Sequence, residues 1–191
     1  DVMRGEETQI AGALALRPDL AADARLVLPG THSKWARVSA GRVASFTTYM
    51  TGELFAVLRD HSILGRTAGS GPGRDGDAAF LRGVDAARKA DGIAPLLFSA
   101  RALVLTGGIA QADALDYLSG LLISDELRSA LAEPGGAPLL IGEPALCARY
   151  ARALARFGVD GAEAVPDAAV AGLWSIASAA GIVKTTKTEV A

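Results

Sequence analysis

The sequence predicts an α/β fold in which a mixed β-sheet carries helices on its faces. Three short apolar runs follow one another between about residues 25 and 48, and helical apolar patterns dominate from residue 51 onward. Two further short apolar runs, at 138–141 and 162–165, alternate with the later helices. Strands joined by tight turns pair antiparallel, whereas strands separated by helices commonly pair in parallel, so a mixed sheet is expected.

The first quarter of the chain is predicted to form one helix and three strands. Glu6 and Glu7 open a helix over residues 5–16, because acidic side chains interact favourably with the N-terminal end of the helix dipole. The apolar run 25–28 is typical of a buried strand, and a turn at 39–41 joins two more strands. These elements supply the antiparallel part of the sheet.

Helices dominate the remainder of the chain. Thr51 is expected to cap the first of them, and residues 67–77, with four glycines and one proline, predict a mobile loop. Further helices are predicted over 77–91, 95–105, 112–123, 124–132, 144–157 and from 166 to about 181. We expect Tyr117 and Trp174 to lie in the core, and residues 168–183 to form a buried helix rather than a membrane span.

Composition narrows the class of protein. Half of the residues are hydrophobic, which is enough for the core of one domain or of one lobe of a larger enzyme. The 19 Lys and Arg residues nearly balance the 21 Asp and Glu residues, which disfavours a dedicated nucleic-acid-binding function. Cys147 is the only cysteine and indicates a reduced, cytoplasmic setting. With only His32 and His61, no metal centre is predicted.

The turn that follows the first predicted strand contains the most promising group of candidate ligand-binding residues. Its members are Gly30, Thr31, His32, Ser33 and Lys34. Glycine lets the backbone approach a ligand, turn amides can bind an anion, and hydroxyls and a lysine add donors and charge, so the turn suits a phosphate. An ordinary polar hairpin turn is the alternative. A role for Lys34 as the Schiff-base lysine of a pyridoxal phosphate enzyme is disfavoured, because the sequence shows no recognisable partner for the pyridine nitrogen.

Two other segments are candidate functional positions. Glu6 or Glu7, at a helix start after a glycine, can be held at a cleft as a general base, although a simple charged helix N-terminus is the alternative. A strand-to-helix corner can cover a flat ligand or place a helix N-terminus beside a phosphate, although a mere connection is the alternative. The corner consists of Ile141, Gly142, Glu143 and Pro144.

Longer stretches of the chain resemble one family. They are MRGEETQIAGAL, LVLPGTHSKWARV, TYMTGELFAVLRDHSILG, DYLSGLLISDELR and LIGEPALCARYARAL, and they cover most of residues 3–157. The chain resembles the C-terminal part of 2-dehydro-3-deoxygalactonokinases, which are actin-like sugar kinases. The resemblance implies a ribonuclease-H-like lobe and ATP-dependent phosphorylation of the terminal hydroxyl of 2-dehydro-3-deoxy-galactonate, within galactonate catabolism.

The resemblance also implies roles for individual residues. The turn from Gly30 to Lys34 is similar to the second phosphate motif, and the corner 141–144 is similar to the adenosine motif. Glu6 stands where related sugar kinases carry the aspartate that accepts the proton of the substrate hydroxyl, with Glu7 as the alternative base. ATP with Mg²⁺ and a small sugar acid are the implied ligands, with no nucleic acid, no membrane, and a homodimer as the oligomer considered.

The superfamily's first phosphate motif, an Asp-x-Gly-Thr hairpin, does not occur in the 191 residues. We therefore expect residues 1–183 to be the C-terminal lobe of a kinase that is inactive without its N-terminal lobe. Residues 184–191 are expected to form a frayed tail. The alternative function is a non-catalytic phosphate- or nucleotide-binding module of the same fold.

Overall fold

The computed structural model describes residues 1–66, 68–69 and 73–183, and it confirms an α/β fold with a mixed sheet and flanking helices. The helices are α1 (Glu6–Leu16), α2 (Thr51–His61), α3 (Ile63–Arg66), α4 (Gly76–Arg88), α5 (Ala94–Leu97), α6 (Ser99–Leu105), α7 (Ala114–Ala130), α8 (Pro144–Arg156) and α9 (Ala168–Ala179). The strands are β1 (Asp23–Leu28), β2 (Ser33–Ser39), β3 (Arg42–Tyr49) and β4 (Leu139–Leu140). None of the described helices is long and apolar enough to cross a membrane.

The four strands of the described residues lie in the order β3-β2-β1-β4. Strand β2 pairs antiparallel with both β1 and β3, as the hairpin pattern predicts, whereas β4 pairs in parallel with β1. The prediction of a strand over 162–165 is wrong, because this segment contributes only one isolated bridge, between Ala164 and Leu140. Gly161, at a φ of 80°, and Pro166 bracket the segment and leave it too short for a ladder.

Several helix boundaries differ from the predicted ones. Residues 112–132 were expected to form two helices, but α7 continues through Ser124, whose hydroxyl donates to the Val84 carbonyl at 2.8 Å. The helix predicted over 95–105 divides into α5 and α6. The predicted loop 67–77 lies partly outside the described residues, and α4 already begins within it, at Gly76. The predicted tail 184–191 lies outside them entirely.

Helices cover both faces of the sheet. Alternate strand residues point to opposite faces, so Val27 packs with residues of α4, α7 and α8, whereas Leu26 packs with residues of α1. A third apolar cluster joins α4, α6 and α7 to one another. Tyr117 belongs to it and is buried, which confirms its predicted core position.

Glycines allow two pairs of helices to pack backbone against backbone. Between α4 and α7, a β-carbon on Gly120 would overlap the carbonyl oxygen of Phe80, and one on Gly83 would overlap a carbonyl of α7. Between α1 and α9, a β-carbon on Gly12 or Gly172 would meet the main chain of the opposite helix in the same way. No larger residue fits these four positions without moving a helix.

The exposure of α9 corrects two predictions. Only a narrow side of this helix, including Ala168 and Gly172, is buried against α1. Val170, Leu173 and Trp174 are 68%, 63% and 55% exposed. The prediction that this segment is a buried helix is therefore wrong, and so is the prediction that Trp174 lies in the core. The uniform apolar composition of this segment does not reveal which side faces α1, because the contact depends on small residues.

We expect Gly120→Ala to destabilise the protein even though alanine is the better helix former. The added methyl group overlaps the main chain of α4, and overpacking of this kind typically costs about 1–3 kcal/mol. Urea unfolding measures the loss. Gly92→Ala is the matched control, because a β-carbon there meets open space and should change the free energy of unfolding by less than about 1 kcal/mol. Equal stability of the two variants would contradict the packing described here.

Candidate functional site

Two of the predicted segments meet at one edge of the sheet. Because β1 and β4 run in parallel, the turn after β1 and the corner after β4 leave the sheet at the same end. The amide of Ile141 donates to the Val27 carbonyl at 2.9 Å and continues the pairing toward this edge. A β-carbon on Gly142, which has a φ of 155°, would lie 3.4 Å from the carbonyl oxygen of Pro29. The turn and the corner therefore touch.

The N-terminus of α2 packs against the same turn. The Glu53 amide donates to the Thr31 carbonyl at 3.0 Å, and a side chain on Gly52 would overlap the backbone at Gly30. The imidazole Nε2 of His32 and a carboxylate oxygen of Glu53 are hydrogen-bonded across this contact. The position of α2 beside the turn was not predicted from the sequence, although a glycine in the first turn of a helix is a signal of close backbone approach.

A groove of about 580 Å³ opens between this turn, α2, α7 and α8. Its walls are Gly30, Thr31, Thr51, Gly52, Phe55, Leu115, Asp116, Ser119, Leu122, Ile123, Leu146, Arg149 and Tyr150. This volume is in the range of small-molecule and cofactor sites. A second groove, of about 390 Å³, lies beside Arg25 and Glu133 and contains none of the predicted site residues.

The predicted phosphate residues divide between the surface and the interior. Thr31 and His32 are exposed on the turn, whereas Ser33 and Lys34 are buried at the start of β2. The Ser33 hydroxyl donates inward to a carboxylate oxygen of Glu126 at 2.8 Å, rather than toward the turn surface where a phosphate was expected. The residue pattern of the turn does not show which hydroxyl points inward, because the acceptor comes from a distant helix.

Glu6 and Glu7 face different partners. One oxygen of Glu6 accepts from the Arg4 amide at 2.8 Å, and the other lies 3.7 Å from the ammonium nitrogen of Lys34. Burial raises the pKa of Glu6, but the amides of Arg4 and of Glu6 itself, together with Lys34, outweigh it and lower the pKa overall. Within the part of the chain that the structure describes, Glu7 accepts only from the Gly5 amide, at 2.7 Å. Of the two acids, Glu6 is therefore the one connected to the strand behind the turn.

The predicted adenosine corner is held by its own residues. The carboxylate of Glu143 accepts hydrogen bonds from the amides of Ala145 and Leu146, at 2.9 and 2.7 Å, and caps α8. These bonds lower the pKa of Glu143. The side chain of Ile141 is buried in the sheet core, so only its backbone is near the corner surface.

Glu126 is the polar residue that sequence reasoning missed. It lies in α7 at 3% exposure, and one of its oxygens accepts from Ser33 at 2.8 Å and from the Trp35 indole at 2.7 Å. The other accepts from Tyr150 at 2.8 Å and from the Thr51 hydroxyl. Thr51 therefore does not cap α2 as predicted. The sequence signal that could have identified Glu126 is a glutamate among the apolar residues of a long helix.

Burial dominates the titration of Glu126. It raises the pKa of this carboxyl group, and the four hydrogen bonds, which act in the opposite direction, do not offset it. Burial likewise raises the pKa of the Tyr150 phenol well above its usual range. Across the described ranges, no group of three His, Cys, Asp or Glu side chains is arranged to hold a metal ion.

Together, the fold and the groove define an α/β protein with a candidate ligand site at the carboxyl ends of the parallel strands of a mixed sheet. The sequence profile described as 2-keto-3-deoxy-galactonokinase matches residues 1–176, and the chain belongs to that family. This confirms the family resemblance found in the sequence.

Three relatives illustrate the match. The chain is 44% identical over 185 residues to a probable 2-dehydro-3-deoxygalactonokinase of Rhizobium meliloti (strain 1021), and 38% identical over 183 residues to the 2-dehydro-3-deoxygalactonokinase of Escherichia coli (strain K12). Each match includes 94% of this chain but 60% of the relative. A crystal structure from Sinorhizobium meliloti, of a protein assigned as a 2-dehydro-3-deoxygalactonokinase, has a TM-score of 0.85 at 40% identity, covering 96% of this chain and 62% of that one.

We expect the contribution of Glu126 to the free energy of unfolding to depend on pH. This contribution should fall as the pH rises above 4.5, the ordinary pKa of glutamate. The folded carboxyl group holds its proton to a higher pH than the unfolded one, so its ionisation opposes folding. Glu126→Gln cannot ionise and should remove this decline. Urea unfolding between about pH 4.5 and 7.5 measures the difference. Parallel pH profiles for the two proteins would contradict the raised pKa.

Proposed function

We propose that this chain forms the nucleotide-binding lobe of an ATP-dependent kinase that phosphorylates the terminal hydroxyl of 2-dehydro-3-deoxy-galactonate. One observation carries the proposal: parallel strands β1 and β4 bring the turn at Gly30 and the corner at Gly142 to one sheet edge, beside a groove of about 580 Å³. Membership of the family and the names of the two curated relatives support the activity.

The phosphates of ATP would bind at the turn. Thr31 and His32 are exposed residues, and the N-terminus of the 11-residue α2 packs beside them. Free amides and the helix dipole both favour an anion at such a position. Lys34 is buried behind the turn, so in this proposal it contributes positive potential. The inward-pointing Ser33 contributes through its backbone and through the Glu126 hydrogen bond.

Glu6 would accept the proton of the sugar hydroxyl. Its lowered pKa keeps it ionised at neutral pH, and the 3.7 Å approach to Lys34 ties it to the strand that follows the phosphate turn. Phosphoryl transfer depends mainly on positioning and on neutralising charge, so a base at a fixed distance from the turn suits the reaction. Glu7 points elsewhere, because adjacent helical residues differ by about 100° around the helix axis.

The adenosine would lie along the corner and α8. Gly142 has no side chain to block an approach to the backbone, and Pro144 starts α8 with its capped N-terminus. Leu146 and Phe55 give the groove apolar walls for a flat base. The Glu143 side chain is engaged in the cap, so we assign it a supporting role at the corner.

We further propose that the chain is one ribonuclease-H-like lobe of a two-lobed enzyme. It spans about 60% of the length of the curated relatives, and the Asp-x-Gly-Thr hairpin does not occur in it. The exposed apolar side of α9, with Val170, Leu173 and Trp174, is suited to contact with the rest of such a protein.

Mg²⁺ would enter with ATP. This ion is commonly held by phosphate oxygens, water and one or two carboxylates rather than by a protein cage, so it does not require the three-residue cluster that is lacking among the described residues. A homodimer and a cytoplasmic location stay predictions. A nucleotide-binding module without catalysis is the alternative function.

The proposed function is tested by assaying transfer of phosphate from ATP to 2-dehydro-3-deoxy-galactonate. We expect turnover from the protein at the full length of its relatives, and ADP binding without turnover from the 191-residue chain. Glu6→Gln in the longer protein should lower kcat by roughly 10²- to 10⁴-fold, because the amide cannot accept a proton. ADP affinity, measured by calorimetry, should not change.

Glu7→Gln is the internal control and should remain active. If Glu7→Gln is the inactive variant and Glu6→Gln is active, the assignment of the base is off by one residue. If the longer protein binds ADP but transfers no phosphate to the sugar acid, the non-catalytic alternative is correct.

A further inference from the structure

The carboxyl group of Glu126 joins four parts of the molecule, and three of them, α2, α7 and α8, supply walls of the groove. It extends from α7 and is bonded to Ser33 and Trp35 of β2, to Thr51 at the start of α2, and to Tyr150 of α8. We propose that Glu126 is a positioning residue that preforms the nucleotide groove. The ligand named here rests on the proposed function, whereas the positioning itself does not.

Three of the four partners of Glu126 lie in or beside the wall of this groove, whereas Trp35 lines the second groove. Ser33 is the first residue of β2, close along the chain to the wall residues Gly30 and Thr31, and Thr51 and Tyr150 are themselves wall residues. Ile123, one turn before Glu126 on α7, is also a wall residue. The carboxyl group is therefore bonded directly to two wall residues of the groove, Thr51 and Tyr150, and to Ser33 near the turn.

The hydrogen-bonding capacity of the carboxylate matches this set of donors. A carboxylate offers about four lone-pair sites on two oxygens, and all four donors are directed at them, two to each oxygen. An apolar residue would leave four buried donors without an acceptor, which is strongly unfavourable. Among the standard side chains of this size, only a carboxylate accepts on both sides.

Replacing Glu126 by glutamine is expected to disturb only one half of this hydrogen-bond network. The Trp35 indole can only donate, so the amide oxygen is expected to remain with Trp35 and Ser33. The amide nitrogen then faces the hydroxyls of Thr51 and Tyr150, which can accept from it but lose the acceptor for their own protons. Glu126→Gln should therefore preserve the fold while loosening the start of α2 and the adjoining part of α8.

A second buried polar residue on α7 provides a control that distinguishes a positioning role of Glu126 from a general contribution to stability. Ser124 is as buried as Glu126, but its hydroxyl donates to the Val84 carbonyl on α4, and it is not a wall residue of the groove. Ser124→Ala removes one buried hydrogen bond from the same helix. Any effect that comes only from weakening α7 should appear in this variant too.

The experiment compares Glu126→Gln, Tyr150→Phe and Ser124→Ala in the intact protein. We expect Glu126→Gln to weaken ADP binding about tenfold in calorimetry, as the loss of a buried hydrogen bond typically does, and Tyr150→Phe to weaken it in the same direction. KM for ATP should rise while KM for the sugar acid stays within about twofold, which is no more than a minor perturbation of free energy. Ser124→Ala should leave both constants near those of the wild type.

Amide hydrogen exchange without nucleotide provides a readout that does not depend on the ligand. Exchange should accelerate at 30–34 and 51–54 in Glu126→Gln, and not in Ser124→Ala. If Glu126→Gln does not fold, Tyr150→Phe carries the same comparison. The proposal is overturned if exchange at both segments and ADP affinity match those of Ser124→Ala. A wild-type protein that binds no nucleotide would refute the proposed function, while the exchange comparison would still decide the positioning role.

Discussion

The parallel pairing of β1 with β4 is the constraint on which the site depends. The registered pairs are Leu26 with Leu139 and Val27 with Leu140, and the Ile141 amide adds one more bond toward the same edge. This short ladder joins two segments more than one hundred residues apart and aligns the turn with the corner. Helices packed on both sheet faces keep the ladder buried, and the glycine contacts between α4 and α7 and between α1 and α9 bring those helices into closely packed pairs.

Two carboxyl groups near the proposed nucleotide site have opposite electrostatic environments. Amide donors and Lys34 lower the pKa of the partly exposed Glu6, whereas burial raises that of Glu126. Such divergence assigns different chemistry to two groups of the same type. In the proposed function, Glu6 exchanges a proton with the bound hydroxyl, and Glu126 holds neighbouring side chains in one arrangement.

Local patterns predicted the local structure, and long-range contacts account for what they missed. The strands around residues 25–48 and the α8 corner follow from apolar alternation and turn residues, and both are present. The inward direction of Ser33 and the role of Glu126 depend on side chains 93 residues apart, which no window of sequence displays. The exposure of Trp174 was missed for a related reason: an all-apolar helix does not reveal that its glycine side makes the contact.

The most direct test of the account is a crystal structure of the intact protein with ADP and Mg²⁺. We predict that the β-phosphate lies within hydrogen-bonding distance of the backbone amides at Thr31 or His32, with the adenine beside Gly142 and the α8 N-terminus. A nucleotide bound in the other groove, beside Arg25 and Glu133, would contradict it.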